Sequence, residues 1–243
     1  VNRAVNGAEA PAATPARVFL AWAVHLLTAS GAVLAAVALT AIGRGAYGSA
    51  SLLMLAALLV DSVDGTLARR VGVALVLPGV DGRRLDDMVD YLNYVIVPVV
   101  FLLALGALPH WWLGMLPILA SAYGFAQREA KTPDDFFLGW PSYWNVVAIY
   151  VWLLGVSSFT ATVVVVGFAI AVFVPLKYVY PSKLRVWRGP TVTLACVWGA
   201  LVVAAITRPG LAERLYLVEI SLFFPAYYLA LSAWLGRWIP ARA

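Results

Sequence analysis

Six of the twelve acidic residues fall between positions 61 and 90, in a stretch reading DSVDGTLARRVGVALVLPGVDGRRLDDMVD. Asp61 and Asp64 directly follow the apolar run from Leu52 to Val60, which places them on a helix of membrane-span character. A carboxylate within a span costs about 2.5–3.5 kcal/mol on insertion scales, so two within one turn require compensation. Helical spacing offers it. Asp61, Asp64, Gly65 and Ala68 stand at i, i+3, i+4 and i+7 and share one stripe; Gly82, Asp86 and Asp90 stand at i, i+4 and i+8 and share another near the start of the next helix. The connecting segment sends the two helices antiparallel, so the stripes can face each other. Four converging carboxylates repel unless a cation sits among them, and oxygen donors without His or Cys favour Mg²⁺ or Mn²⁺.

Gly65, Ala68 and Gly82 leave the helix surfaces bare, which suits close approach of a diphosphate, and Arg69 beside them can act as a fork donor to phosphate. A divalent ion bridging phosphates with arginine support is the equipment of phosphoryl-type transfer. Asp81 and Asp87 fall off both stripes and read as solvated or helix-start charges. Arg70, Arg83 and Arg84 are accounted for by membrane topology, with phosphate contact as the alternative. His25 reads as a satisfied interhelical donor, and Glu219 as a carboxyl deep in the last span that must be neutral, paired or facing a cavity.

The elements that hold these residues follow from composition. Of 243 residues, 63% are hydrophobic and 12% charged, with mean hydropathy +0.88. That balance excludes a soluble enzyme, a disordered chain and a nucleic-acid binder. The single cysteine, Cys196, lies in an apolar stretch and reads as a small membrane-packed residue; no intrachain disulfide is possible. Apolar runs place spans near 18–42, 48–69, 84–106, 110–127, 142–156, 160–180, 190–206 and 212–236. The expected architecture is therefore an all-α polytopic integral membrane protein of about eight transmembrane helices. Residues 1–16 read as a flexible or interfacial tail rather than a cleavable signal peptide, and 17–243 as one transmembrane catalytic domain. With the N-terminus cytosolic, fourteen of the seventeen Lys and Arg residues fall on inner segments and three on outer ones, which puts both termini and the acidic cluster on the cytosolic side.

The residues at this point resemble the CDP-alcohol phosphotransferase family. Its signature, D-x-x-D-G-x-x-A-R followed after a gap by G-x-x-x-D-x-x-x-D, is filled at all eight positions by Asp61, Asp64, Gly65, Ala68, Arg69, Gly82, Asp86 and Asp90. The gap between Arg and Gly spans residues 70–81, twelve positions where eight are usual in the family. The longer gap resembles the bacterial branch that joins choline to CDP-diacylglycerol, and KTPDDFFLGWPSYWN at 131–145 is similar to a segment of that branch.

The resemblance implies a CDP-alcohol phosphotransferase fold and a metal-dependent phosphatidyltransferase of the bacterial inner membrane, acting as a homodimer. CDP-diacylglycerol and choline would be its substrates, with phosphatidylcholine and CMP as products. Asp61, Asp64, Asp86 and Asp90 would bind Mg²⁺ or Mn²⁺. Asp61, Asp64, Gly65, Ala68, Arg69 and Gly82 would hold the cytidine diphosphate part. Asp90 would be the general base, a choice that spacing alone does not make between Asp90 and Asp86. A quaternary ammonium is held by aromatic faces and nearby carboxylates. Tyr91 and Tyr94, with Asn93 between them, and Trp140, Tyr143 and Trp144 are therefore the expected choline contacts, with Glu129 as a counter-charge; Phe136 and Phe137 crowd the same segment, and an aromatic belt at the membrane interface, or packing of the loop itself, is the alternative reading of the 136–144 group. Asn145 is a polar residue at the start of a span, suited to hydrogen bonding across helices or to headgroups. Alternatives at this stage are another acceptor (serine, inositol or glycerol phosphate) or, in a different class, a cation transporter, which would spread its acids through the membrane depth instead of clustering them.

Overall fold

A computed structural model describes residues 14–127, 130–181, 183–184 and 186–238, with 237 and 238 by backbone alone. Among the described residues, five helices are long and apolar enough to cross a membrane: α1 (Pro15–Gly43), α2 (Tyr47–Val71), α3 (Gly82–Ala104), α7 (Arg188–Thr207) and α8 (Leu217–Gly236). Three shorter apolar helices complete the bundle: α4 (Trp111–Ala126), α5 (Trp144–Leu153) and α6 (Ser158–Phe173). The chain is thus a helical integral membrane protein. Large apolar side chains such as Phe19, Leu26, Phe159 and Ile170 are exposed on the outer faces, as helices bathed in lipid require.

Of the expected N-terminal tail, only residues 14–16 are described, and they already open α1. The Thr14 hydroxyl accepts from the Arg17 N–H at 3.4 Å and Pro15 takes the first helical position, where its missing N–H costs nothing. The sixth expected span, 160–180, is cut short: α6 ends at Phe173 and Val174 is extended. Hydropathy runs on through Val174-Pro175-Leu176, but a proline forces the residue before it out of the helical region, and this stop was hidden inside an apolar stretch. Cys196 is exposed on α7 and faces outward rather than packing between helices.

The released chain does something the all-α expectation lacked. Lys177–Val179 (β2) pairs antiparallel with Phe136–Leu138 (β1), joining Phe136 to Val179 and Leu138 to Lys177. This small ribbon ties the segment after α4 to the segment after α6. Gly139 N–H donates to Leu176 O at 2.9 Å and Trp140 N–H to Ala171 O at 3.1 Å. Gly139 has φ +82°, and a Cβ there would run into the Val172 carbonyl, so only glycine permits the closeness of the two segments. At about 1.5 Å per residue, α5 and α6 are about 15 and 24 Å long, short of the ~30 Å hydrocarbon thickness. Their shortness makes room for this ribbon and its loops at the same end of the bundle as the acidic cluster.

Candidate active site

α1 packs along α2 and against the start of α3, and this trio carries the signature. The opposed stripes meet as the spacing required, though not with all four acids. Asp61, Asp86 and Asp90 each offer a carboxylate oxygen, and the three oxygens lie within 4.8 Å of one another. Tyr94 donates its hydroxyl to Asp61 Oδ2 at 2.6 Å. Just after Asp90 the helix widens into one π-helical turn, Leu92–Ile96, and Tyr94 sits within it. Such turns recur at functional sites because they re-aim side chains without ending the helix.

Asp64 does not join this group. It is 4% exposed, and its Oδ2 accepts the Thr28 hydroxyl of α1 at 2.7 Å. The small residues are likewise met by neighbours. A Cβ at Gly82 would stand 2.9 Å from His25 Cε1, and one at Gly65 would stand 3.4 Å from Arg69 Nη1. Ala68 packs against a cluster of Ala21, Val24 and Val73. Arg69 is exposed, its guanidinium folded back on Thr66 at 3.1 Å and open to an anion. His25 departs from its expected role: it is buried, yet its Nε2 finds no hydrogen-bond partner among the described residues, and the edge of its ring at Cε1 covers Gly82.

A cavity of about 140 Å³ opens over the three carboxylates. Its floor is Asp61, Asp86 and Asp90, with Asp87 and Arg83 on one side, and its aromatic lining includes Tyr94, Phe137, Trp140, Tyr143 and Tyr180. Tyr94 and Tyr143 have ring centroids 5.9 Å apart, and Phe137 stacks on Tyr180 at 4.6 Å. Asp87, expected as a solvated charge, thus lines the cavity, whereas Asp81 is the helix-start charge it was read to be. Asp81 caps α3, accepting from the Arg84 N–H at 3.2 Å and pairing with its Nε at 3.2 Å. A larger hollow, about 240 Å³, lies between the far ends of α3 and α5 and has no ionisable side chain in its lining.

The other expected contacts divide sharply. Tyr91 turns away, donating to Ile118 O at 2.9 Å, and Trp144 is wholly buried with its Nε1–H on Ser121 Oγ at 2.8 Å. Neither lines the cavity. Phe136 is buried, with Lys177 above its ring. Asn93 ties α3 to α1 through Gly31 O at 2.9 Å. Asn145 is buried and accepts from the Val146 N–H at 2.9 Å in the first turn of α5. Glu129 lies outside the described residues. Glu219 is not deep in its span: it is exposed in the first turn of α8, where a carboxylate is favoured by the helix dipole. Sequence reasoning passed over Tyr180 and Ser142. The first sat inside what looked like a span, and the second carries no charge or ring to draw notice.

The chain has three lysines, and all lie around this end of the bundle. Lys177 pairs with Asp134 at 2.7 Å and Lys183 with Asp135 at 3.6 Å, while Lys131 lines the cavity and has no ion-pair partner among the described residues. Partial burial on its own would raise the Asp134 carboxyl. Hydrogen bonds from Lys177, Thr132 and its own backbone, with the Lys177 charge, hold it below the usual carboxylate range.

Fold and site together define an integral membrane protein whose helices α2 and α3 present a carboxylate cluster that could hold a metal ion. The profile of the CDP-alcohol phosphatidyltransferase family matches residues 20–204, and the chain belongs to that family. Its sequence is similar to phosphatidylcholine synthases from several bacteria. The one from Legionella pneumophila is 46% identical over 172 residues, covering 68% of this chain and 67% of the relative. Those from Borreliella burgdorferi and Pseudomonas aeruginosa are both 32% identical, over 219 and 229 residues, covering 88% and 91% of this chain and 93% and 94% of the relatives.

Proposed function

We propose that this protein is a phosphatidylcholine synthase, transferring the phosphatidyl group of CDP-diacylglycerol to choline with release of CMP. The observation that carries the reading is one cavity with three carboxylates for its floor and aromatic rings in its wall. Rings and carboxylates are what a quaternary ammonium binds, since it has no N–H to donate. Trp140, Tyr143 and Tyr94 from the expected choline set line this wall, and Phe137 and Tyr180 extend it.

Asp61, Asp86 and Asp90 fit Mg²⁺ or Mn²⁺, being three hard oxygen donors within reach of one ion, and Asp64 stands one turn from Asp61 in the same helix. A divalent ion there would supply charge neutralisation for the donor's diphosphate and for the leaving CMP. Arg69, Arg83 and Lys131 are cations around the cluster without an ion-pair partner among the described residues, and they suit the phosphate oxygens. In the transfer, the choline oxygen forms a bond to the phosphorus bearing diacylglycerol. The bond from that phosphorus to the CMP phosphate oxygen breaks, and the hydroxyl proton passes to Asp90. Held in place between wall and floor, the alcohol attacks with little further loss of freedom. The excess of basic residues on the cluster's side supports a bacterial inner-membrane enzyme with its site facing the cytosol.

Purified protein in liposomes with CDP-diacylglycerol and labelled choline tests the proposal. Labelled phosphatidylcholine and CMP are expected in equal amounts, with serine, inositol and glycerol phosphate left unconverted and activity lost on chelation. No labelled phosphatidylcholine overturns the choline reading.

A further inference from the structure

Ser142 stands on the cavity wall between Pro141 and Tyr143, and it is 3% exposed. Its hydroxyl ends a chain of three donors whose direction is set by chemistry. The indole N–H of Trp144 can only donate, and it donates to Ser121 Oγ at 2.8 Å. With that lone pair occupied, Ser121 turns its own hydrogen to Ser142 Oγ at 2.9 Å. Ser142 therefore accepts from within the protein, and its own hydroxyl hydrogen has no acceptor among the described residues. The cavity is the direction left to it. The backbone repeats the message: Ser142 has φ +59°, a left-handed conformation that a non-glycine residue holds only when its surroundings impose it. The backbone N–H of Trp144 donates to the Ser142 carbonyl at 2.8 Å, so the main chain of the residue is tied to the start of α5 and its hydroxyl to Ser121 of α4.

Building on the choline reading, we infer that Ser142 is the specificity-determining donor for the acceptor alcohol, its O–H binding the oxygen of the substrate hydroxyl. A neutral donor beside aromatic rings suits a neutral alcohol oxygen, whereas the phosphates have Arg83 and Lys131 elsewhere on the rim. The alcohol oxygen accepts from Ser142 while its own hydrogen is directed to Asp90, leaving a lone pair for phosphorus. An onium compound lacking a hydroxyl would fill the same aromatic wall and gain nothing from Ser142.

Ser142→Gly removes the hydroxyl at a backbone position natural to glycine, and Ser142→Ala removes it with a different backbone cost, so agreement between them separates the hydroxyl from the fold. Both are expected to raise KM for choline about threefold to tenfold, the range of one neutral hydrogen bond. KM for CDP-diacylglycerol should stay within about twofold, and ethyltrimethylammonium, which is choline without its hydroxyl, should inhibit both variants and the parent equally. An unchanged choline KM, a rise for CDP-diacylglycerol instead, or equal weakening of choline and ethyltrimethylammonium overturns the inference. A parent enzyme that makes no phosphatidylcholine overturns the choline reading and this inference with it; a parent that does, with indifferent variants, overturns only the role of Ser142.

Discussion

Thr28 of α1 donates its hydroxyl to Asp64 of α2 at 2.7 Å, so one signature carboxylate is held by a helix that carries none of the signature. Both residues are buried, and the bond joins the first two helices close to the cluster. Thr28→Val keeps the shape and strands a buried carboxyl oxygen, which should cost about 1–3 kcal/mol of stability. Thr28→Ser should restore most of it. Thermal unfolding in detergent, with choline and CDP-diacylglycerol absent, reads the loss without reference to turnover.

Asp90 forms part of the carboxylate floor of the cavity whose wall is aromatic. Asp90→Asn retains size and oxygen donation but cannot take a proton, and turnover is expected to fall about 10²–10⁴-fold, the usual contribution of a general base. CDP-diacylglycerol binding, measured by equilibrium dialysis in nanodiscs, should persist. Turnover equal to that of the parent would remove Asp90 from the role of base.

Tyr94 orients Asp61 from the π-helical turn at 2.6 Å, an arrangement in which a supporting hydroxyl fixes a carboxylate that could serve a metal. Removing such support typically costs about 10–100-fold in metal affinity. Tyr94→Phe should therefore shift the Mg²⁺ or Mn²⁺ concentration for half-maximal activity upward by that factor, with activity recovered at saturating metal. A metal titration of initial rates checks it.

The Lys177–Asp134 pair closes the loop segment beside the β1–β2 ribbon. A carboxyl held low in the folded chain is protonated more readily when unfolded. Its stabilisation is therefore present above the ordinary Asp value of about 3.9 and is lost as pH falls through the lower folded value. Asp134→Asn should melt below the parent at neutral pH, and the difference should shrink as the pH falls below the ordinary Asp range and through the lower folded value. A melting difference that is constant across this range would assign the effect to packing instead.

Helical periodicity made the acidic stripes legible, because i, i+3 and i+4 relations are local and need no partner to be known. Asp61, Asp86 and Asp90 could be placed together from spacing and an antiparallel turn alone. Asp64 shares that spacing, yet Thr28, thirty-six positions away, takes its oxygen. Aromatic residues were visible but unsorted: Tyr91 and Tyr94 are three apart on one helix, and the π-helical turn sends one to Asp61 while the other bonds Ile118. Trp140 and Trp144 differ for a similar reason, since the loop between them decides which ring reaches the cavity and which is buried.

By itself the sequence determined that the chain lies in a membrane, that half of its acids gather on two successive helices, and that three small residues and an arginine stand beside them. Those conclusions follow from composition, from the cost of charge in lipid and from local helical geometry. Only the tertiary structure decided that α6 stops at Phe173, that the freed strand meets β1, and that Tyr180 and Ser142 thereby reach the carboxylates' cavity. These pairings join positions some forty residues apart through backbone hydrogen bonds and one glycine-sized gap, and no local periodicity encodes which distant segments will meet.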